Sequence, residues 1–153
     1  LFVKRIVVEY NNYIMDSKKY YLKTKRPSWA PPSWLFGPVW SVLYILIFIS
    51  FGFLFSKVFK GDIPFIIVLP FILNIFFNIL FTPIQWGLKS NLLASIDILF
   101  MLITLIWAMI SIYTYYQWIS YIQIPYLLWI SFAFILQSTI TILNWENEWV
   151  RRR

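Results

Sequence analysis

Four stretches of the chain run almost without charge: Trp34 to Ser56, Ile63 to Phe81, Leu92 to Tyr113 and Ile122 to Leu143. Each is close to the roughly 20 apolar residues needed to cross a hydrocarbon core of about 30 Å. A bilayer offers its backbone groups no water, so each run is predicted to be a helix. Ahead of them lies a polar, basic leader over residues 1–26, with weak apolar content around "IVVEYNNYIM". That leader is too charged for a secretory signal or a span, and is expected to be a short interfacial helix or a frayed end. With the chain starting at Leu1, a truncated start is the favoured reading. A bundle over residues 27–144 and a charged tail over 145–153 complete the predicted organisation.

The connections carry their own signals. Prolines at 27, 31, 32 and 38 each lack an amide donor and push the preceding residue toward extended geometry, which predicts a stiff loop until about Gly37. In "SKVFKGDIP" the turn falls to Gly61 and Asp62, with Pro64 suited to a first helical turn, so the first two spans are antiparallel neighbours. Pro70 lies within the second span and predicts a bend there. "TPIQWGLKSN" ends that span, and "YTYYQWISYIQIP" joins the last two with five aromatics and no charge, as an interfacial belt does.

Polar residues inside the spans fall in stripes. Asn74, Asn78, Thr82 and Gln85 are spaced by four, four and three, which puts them on one helix face. Ala94, Asp97, Met101, Thr104, Ala108 and Ser111 form a second stripe, and Trp129, Ala133, Gln137 and Thr141 a third. Small and amide residues of this kind commonly join membrane helices. Asp97 stands apart, because a carboxylate at that depth costs several kcal/mol. It marks either a function or a hydrogen bond to the second span or a loop amide. Trp118, Trp145 and Trp149 sit near span ends as belt anchors, and Trp107 faces lipid or packing. Trp40 and Trp129 share faces with small or polar neighbours, where an indole either packs or stacks on a flat ligand.

At 61% hydrophobic and only 12% charged, the composition excludes an ordinary soluble domain. The excess of seven positive charges is no mark of nucleic acid, because its distribution follows the membrane. Four spans put eleven Lys and Arg on one side and leave Lys57 and Lys60 on the other. By the positive-inside rule the crowded side, with the leader and the C-terminus, is cytoplasmic, and anionic lipid is the simplest partner for its charges. The absence of cysteine and histidine removes disulfides, thiol nucleophiles, most zinc sites and imidazole chemistry. No glycine-rich phosphate loop, paired carboxylate or metal-ligand spacing is present, so no catalytic residue, metal or cofactor is assigned.

"KRPSWAPPSWLFGPVWSVLY", "FTPIQWGLKSNLLASIDIL" and "QIPYLLWISFAFILQSTITILN" together resemble the TspO/MBR family, the tryptophan-rich sensory or translocator proteins. The block W-x-P-P-x-W-x-x-x-P-x-W, from Trp29 to Trp40, is the most specific element. The resemblance implies an all-α membrane bundle of five helices, often dimeric, with a pocket toward the loop after the first helix. It implies binding of porphyrins and other tetrapyrroles, and of sterols in animals, with light-driven porphyrin degradation reported for some bacterial members. By motif, Trp40 matches a pocket tryptophan, Asn78 the asparagine ahead of a P-x-x-x-G turn, and Asp97 the aspartate of the fourth family helix. Trp129 and Ala133 match P-Y-x-x-W-x-x-x-A, and Gln137 replaces a usual asparagine. The family's first membrane helix is missing or truncated here, which leaves one flank of the pocket open. No tyrosine follows Leu143, so the sterol motif of animal members fails.

The function this predicts is uptake of a porphyrin-like ligand into a tryptophan-lined pocket, for sensing, transport or regulation of tetrapyrrole metabolism, in an integral protein of a bacterial inner membrane. The candidate ligand-binding residues are Trp29, Trp34, Trp40, Tyr44, Asn78, Asp97, Trp129, Ala133 and Gln137. Either rigid prolines hold Trp29 and Trp34 over the bundle mouth as a lid that loses little entropy on closing, or the prolines only break the chain before a helix and the two indoles anchor at the interface, which accounts for Trp40 less well. Lys23, Lys25 or Arg26 meet the ligand's propionates, and Asn78 and Gln137 supply orienting hydrogen bonds. A light-dependent porphyrin-degrading enzyme and a ligand-free regulatory subunit are the alternatives, and a homodimer is a further expectation.

Overall fold

The computed structural model describes residues 2–146, and all regular structure among them is helical. The order is α1 (Phe2–Lys23), α2 (Ser33–Phe59), a 3₁₀ turn (Phe65–Ile67), α3 (Leu69–Thr82), a π turn (Pro83–Gly87), α4 (Asn91–Tyr113), α5 (Gln117–Ile122) and α6 (Ile124–Leu143). Four segments among the described residues are long and apolar enough to cross a membrane: Ser33–Phe59, Phe65–Gly87, Asn91–Tyr113 and Gln117–Leu143. These are the four predicted spans. The leader forms a regular helix of 22 residues rather than a frayed end, and its charge keeps it out of that set. Trp149 and the closing arginines lie outside the described residues.

The proline-rich loop is shorter than its sequence suggests. Pro32 is extended at φ −62° and ψ 144°, and α2 begins at the next residue instead of near Gly37. Pro38 fits inside the helix because it sits close to the start, where its missing N–H forfeits only the bond due to the Trp34 carbonyl. At the other end Gly61 takes φ +76° and reverses the chain, with its N–H bonded to the Val58 carbonyl at 2.9 Å. Only glycine enters that left-handed region without steric cost. Lys57 closes the turn by an ion pair to Asp62 at 2.8 Å, and that bond holds the Asp62 carboxyl below its ordinary range.

The bend predicted at Pro70 appears as a restart. Pro70 occupies the opening turn of α3, and the Val68 carbonyl accepts from Phe71 and Ile72 at 3.0 and 3.1 Å, so the 3₁₀ turn hands over directly to α-helix. Beyond Thr82 the chain widens into a π turn, closed by Leu88 N–H on the Pro83 carbonyl at 3.0 Å. The wider turn brings Gln85 inside and leaves Thr82 exposed, which removes Thr82 from the predicted stripe. Ser90 then caps α4 by accepting the Leu93 N–H at 3.3 Å.

α4 is the central helix and packs on α3, α5 and α6. Its buried positions, Ala94, Asp97, Ile98, Met101, Thr104, Leu105, Ala108 and Ile112, recur at three and four and include nearly all of the predicted stripe; Ser111 is only partly buried. Ala94 and Ala108 have no exposed surface, as expected where backbones approach closely in a membrane. One apolar cluster joins Leu43, Ile98, Met101, Leu105, Tyr126 and Ile130, and another joins Leu54, Ile63, Val68, Phe71, Ala108, Ile112 and Ile119. Trp107, Trp118 and Trp145 are all substantially exposed, consistent with lipid-facing and belt positions.

Candidate functional site

The last turns of α1, the proline-rich loop, the first turns of α2, the end of α3 and the C-terminal half of α6 enclose a cavity of about 380 Å³. That size falls in the range of small-molecule sites, which are mostly apolar with a few placed polar groups. Six rings face it: Tyr20, Tyr21, Phe36, Trp40, Phe81 and Trp86. Leu136 and Ile140 add aliphatic surface, and Gln85, Gln137 and Thr24 add polar atoms. Arg26 is the charged wall residue.

Five of the six, all but Phe81, pack against other rings. Trp40 stacks on Tyr44 at 5.4 Å between centroids and meets the edge of Tyr126 at 6.3 Å. On the facing side Trp86 stacks on Tyr21 at 5.9 Å and takes Tyr20 edge-on at 6.5 Å. The Arg26 guanidinium lies 3.3 Å from the centre of the Tyr21 ring and donates to the Tyr21 hydroxyl. Partial burial lowers its pKa, with Tyr21 opposing the shift; an arginine stays charged at neutral pH regardless. The flank that the resemblance left open thus carries Tyr20 and Tyr21 of α1.

The cavity floor is a polar knot. Gln137 donates to Gln85 Oε1 at 3.2 Å, Thr141 donates to the Asn91 carbonyl at 2.9 Å, and Tyr20 donates to Asn91 Oδ1 at 2.9 Å. Lys89 pairs with Asp16, and its ammonium holds the Asp16 carboxyl below its ordinary range. Asn144 fixes the loop to α6, accepting from the Lys25 N–H and donating to the Lys25 carbonyl, both at 2.9 Å. Asn144→Ala removes both bonds, at about 1 kcal/mol each, and is expected to speed tryptic cutting after Lys25 in bilayer-embedded protein by roughly tenfold, read by mass spectrometry.

Of the residues singled out in the sequence, Trp40 and Gln137 stand on the cavity wall. Trp129 stands one ring behind it, edge-on to Phe36 at 5.5 Å and tilted against Phe132 at 5.7 Å, and Trp29 meets Phe132 at 6.0 Å. Ala133 is partly buried on the same helix. Trp34 is 70% exposed and covers nothing on the wall, so the pictured lid is narrower than two indoles. Tyr44 backs Trp40 and donates to Asn78 Oδ1 at 2.8 Å. Asn78 gives its own donor to Tyr126 at 3.0 Å, so its amide joins helices instead of facing the cavity. Asp97 is buried away from the wall, and neither a second-span group nor a loop amide among the described residues hydrogen-bonds its carboxyl. The wall residues missed in the sequence, Tyr20, Tyr21, Phe36, Phe81 and Trp86, sit in aromatic-rich stretches whose direction no spacing rule resolves.

The TspO/MBR family model matches residues 4–143. The tryptophan-rich protein TspO of Chlorobaculum tepidum is 31% identical over 125 residues, covering 82% of this chain and 79% of the relative. Its namesake from Archaeoglobus fulgidus is 33% identical over 125 residues, covering 82% and 80%. The tryptophan-rich sensory protein of Cereibacter sphaeroides is 25% identical over 141 residues, covering 90% and 85%. A match across nearly the whole chain, four apolar helices, and a cavity that the W-x-P-P-x-W block helps to wall converge on one conclusion: the chain is an integral membrane protein belonging to the TspO/MBR family.

Proposed function

We propose that the protein binds flat, largely apolar acids of the porphyrin class in the cavity, in the service of sensing or transport. The observation that supports this is the wall itself: two indoles, Trp40 and Trp86, with four further rings and one guanidinium, Arg26, around a space of about 380 Å³. Ring faces stack on planar aromatics, and a guanidinium pairs bidentately with a carboxylate. Gln85 and Gln137 supply the hydrogen-bonding atoms, in place of the Asn78 expected from the sequence. Lys23 and Lys25 flank Arg26 in the chain and add positive potential near the same end. The cavity lies at the end of the bundle that gathers the leader's cations and Lys89. By the positive-inside rule, that end faces the cytoplasm of a bacterial inner membrane.

Titration of protoporphyrin into nanodisc-embedded protein, followed by tryptophan quenching, tests the reading. Saturable quenching at one ligand per chain is expected, and the dimethyl ester is expected to bind about tenfold more weakly, because it removes a charge-assisted pair of about 1.5 kcal/mol. Quenching that rises linearly and matches that of free indole in empty nanodiscs would overturn it.

A further inference from the structure

α1 has an apolar face that the bundle leaves bare. At helical spacing Val3, Ile6, Val7, Tyr10 and Ile14 share one side with Tyr20 and Tyr21. Tyr20 is buried and Tyr21 half-buried against the bundle, whereas the side chain of every residue from Val3 to Asp16 is exposed, among them Val3 at 71% and Tyr10 at 63%. The opposite side carries Lys4, Arg5, Lys19 and Lys23 against Glu9 and Asp16, with Val8, Met15 and Leu22 interspersed, and Lys18 stands at the border of the two faces. A helix with a basic polar face, an aromatic and aliphatic opposite face and little net hydrophobicity has the composition of one that lies in the membrane interface.

Three placements compete for the uncovered part of α1. Crossing the bilayer would bury seven charged side chains among its 22 residues, at several kcal/mol for each one held near the centre. Pairing with α1 of a second copy would bring together two helices that each carry five cations against two acids, so like charge opposes it. An anionic leaflet accepts both faces at once. The anchor agrees, because α1 is tied at its C-terminal end by Tyr20 to Asn91 and by Asp16 to Lys89. Those partners flank the start of the third span, at the rim of the bilayer.

We propose that α1 is a surface-lying membrane anchor that recognises anionic phospholipid, with Val3, Ile6, Val7, Tyr10 and Ile14 among the upper acyl chains and its lysines and arginine at the phosphates. Because Tyr20 and Tyr21 continue the same helix into the cavity wall, the lipid seat of α1 also sets the position of that wall. The anchor itself does not depend on which ligand the cavity takes.

The chain has no cysteine, so single labels are clean. Ile6→Cys, Tyr10→Cys, Ile14→Cys and, on the opposite face, Asn12→Cys each carry a spin label in the full chain, in nanodiscs of phosphatidylcholine with or without phosphatidylglycerol. Accessibility to oxygen and to a water-soluble nickel chelate gives depth. With phosphatidylglycerol, labels at 6, 10 and 14 are expected at one shallow depth, with chelate access at least about threefold below that at 12. In phosphatidylcholine alone that contrast shrinks, and it also shrinks in the anionic discs when Lys4, Arg5, Lys18 and Lys19 are all changed to Gln. Depth that increases steadily from 14 to 6 would show a span and overturn the proposal. So would shielding of the three labels from both reagents, which means protein cover, or contrast that ignores lipid charge.

Discussion

Trp40→Ala should weaken protoporphyrin binding by about 30-fold or more, whereas Trp34→Ala should leave it within about twofold. Both tryptophans belong to one proline-rich block and differ by only six positions, yet the fold separates them. Trp40 is on the cavity wall, braced by Tyr44 behind and Tyr126 at its edge, while Trp34 is 70% exposed. An aromatic pair contributes about 0.5–1.5 kcal/mol beyond the apolar area it buries. The ring face itself, at about 25 cal/mol per Å², adds one to two more. Trp40→Phe keeps a smaller stacking face and should lose about tenfold at most. Trp129→Leu acts through Phe36, the ring it supports, so its effect should fall between those of Trp34 and Trp40. Equal affinities for the Trp40→Ala and unaltered proteins, in the quenching titration or by calorimetry, would remove the cavity from the account of binding.

The contrast also shows what the sequence could reveal. Spans were legible because the thickness of a bilayer imposes a length that few other constraints mimic, and all four helices lie where uncharged runs predicted. Faces were legible too: Asn74, Asn78 and Gln85 are all buried, as are Gln137 and Thr141. Spacing tells which side of a helix a residue occupies, but not what waits across the gap. Asn78 meets Tyr44 and Tyr126, 34 and 48 positions away, and nothing local encodes those partners. Trp86 eluded the reading for another reason. It lies in a π turn, where the angular step per residue departs from the helical value that places every other stripe. The contribution of α1 to the wall rests on two tyrosines at the end of a charged helix, a composition that points to a surface and not to a pocket.

Tyr126→Phe is the change expected to affect stability most without touching the wall. A single hydroxyl there accepts from Asn78 Nδ2 and donates to Asn74 Oδ1, each at 3.0 Å. Asn74 passes the chain on to the Met101 carbonyl at 2.8 Å and to Thr104 at 3.2 Å, and Asn78 receives Tyr44 at 2.8 Å. Four helices, α2, α3, α4 and α6, therefore meet through one oxygen that is buried with the rest of Tyr126. Removing it strips a bond from two buried amides, which costs about 1–3 kcal/mol in soluble proteins. Interhelical bonds in membranes average nearer 0.6 kcal/mol and reach about 1.7; with two bonds lost, roughly 1–2 kcal/mol is expected. For a chain of this size that lowers the thermal midpoint by about 3–6 °C. Tyr44→Phe should cost less, because Tyr44 is 51% exposed and only one bond goes with its hydroxyl. The phenyl ring that meets Trp40 survives in Tyr126→Phe, so porphyrin affinity should hold within about twofold even as the midpoint falls. A lowered midpoint with intact binding separates the bolt that joins the helices from the wall that faces the ligand. An unchanged midpoint would mean that the two asparagines re-pair within α3, and that apolar packing alone sets the helix register.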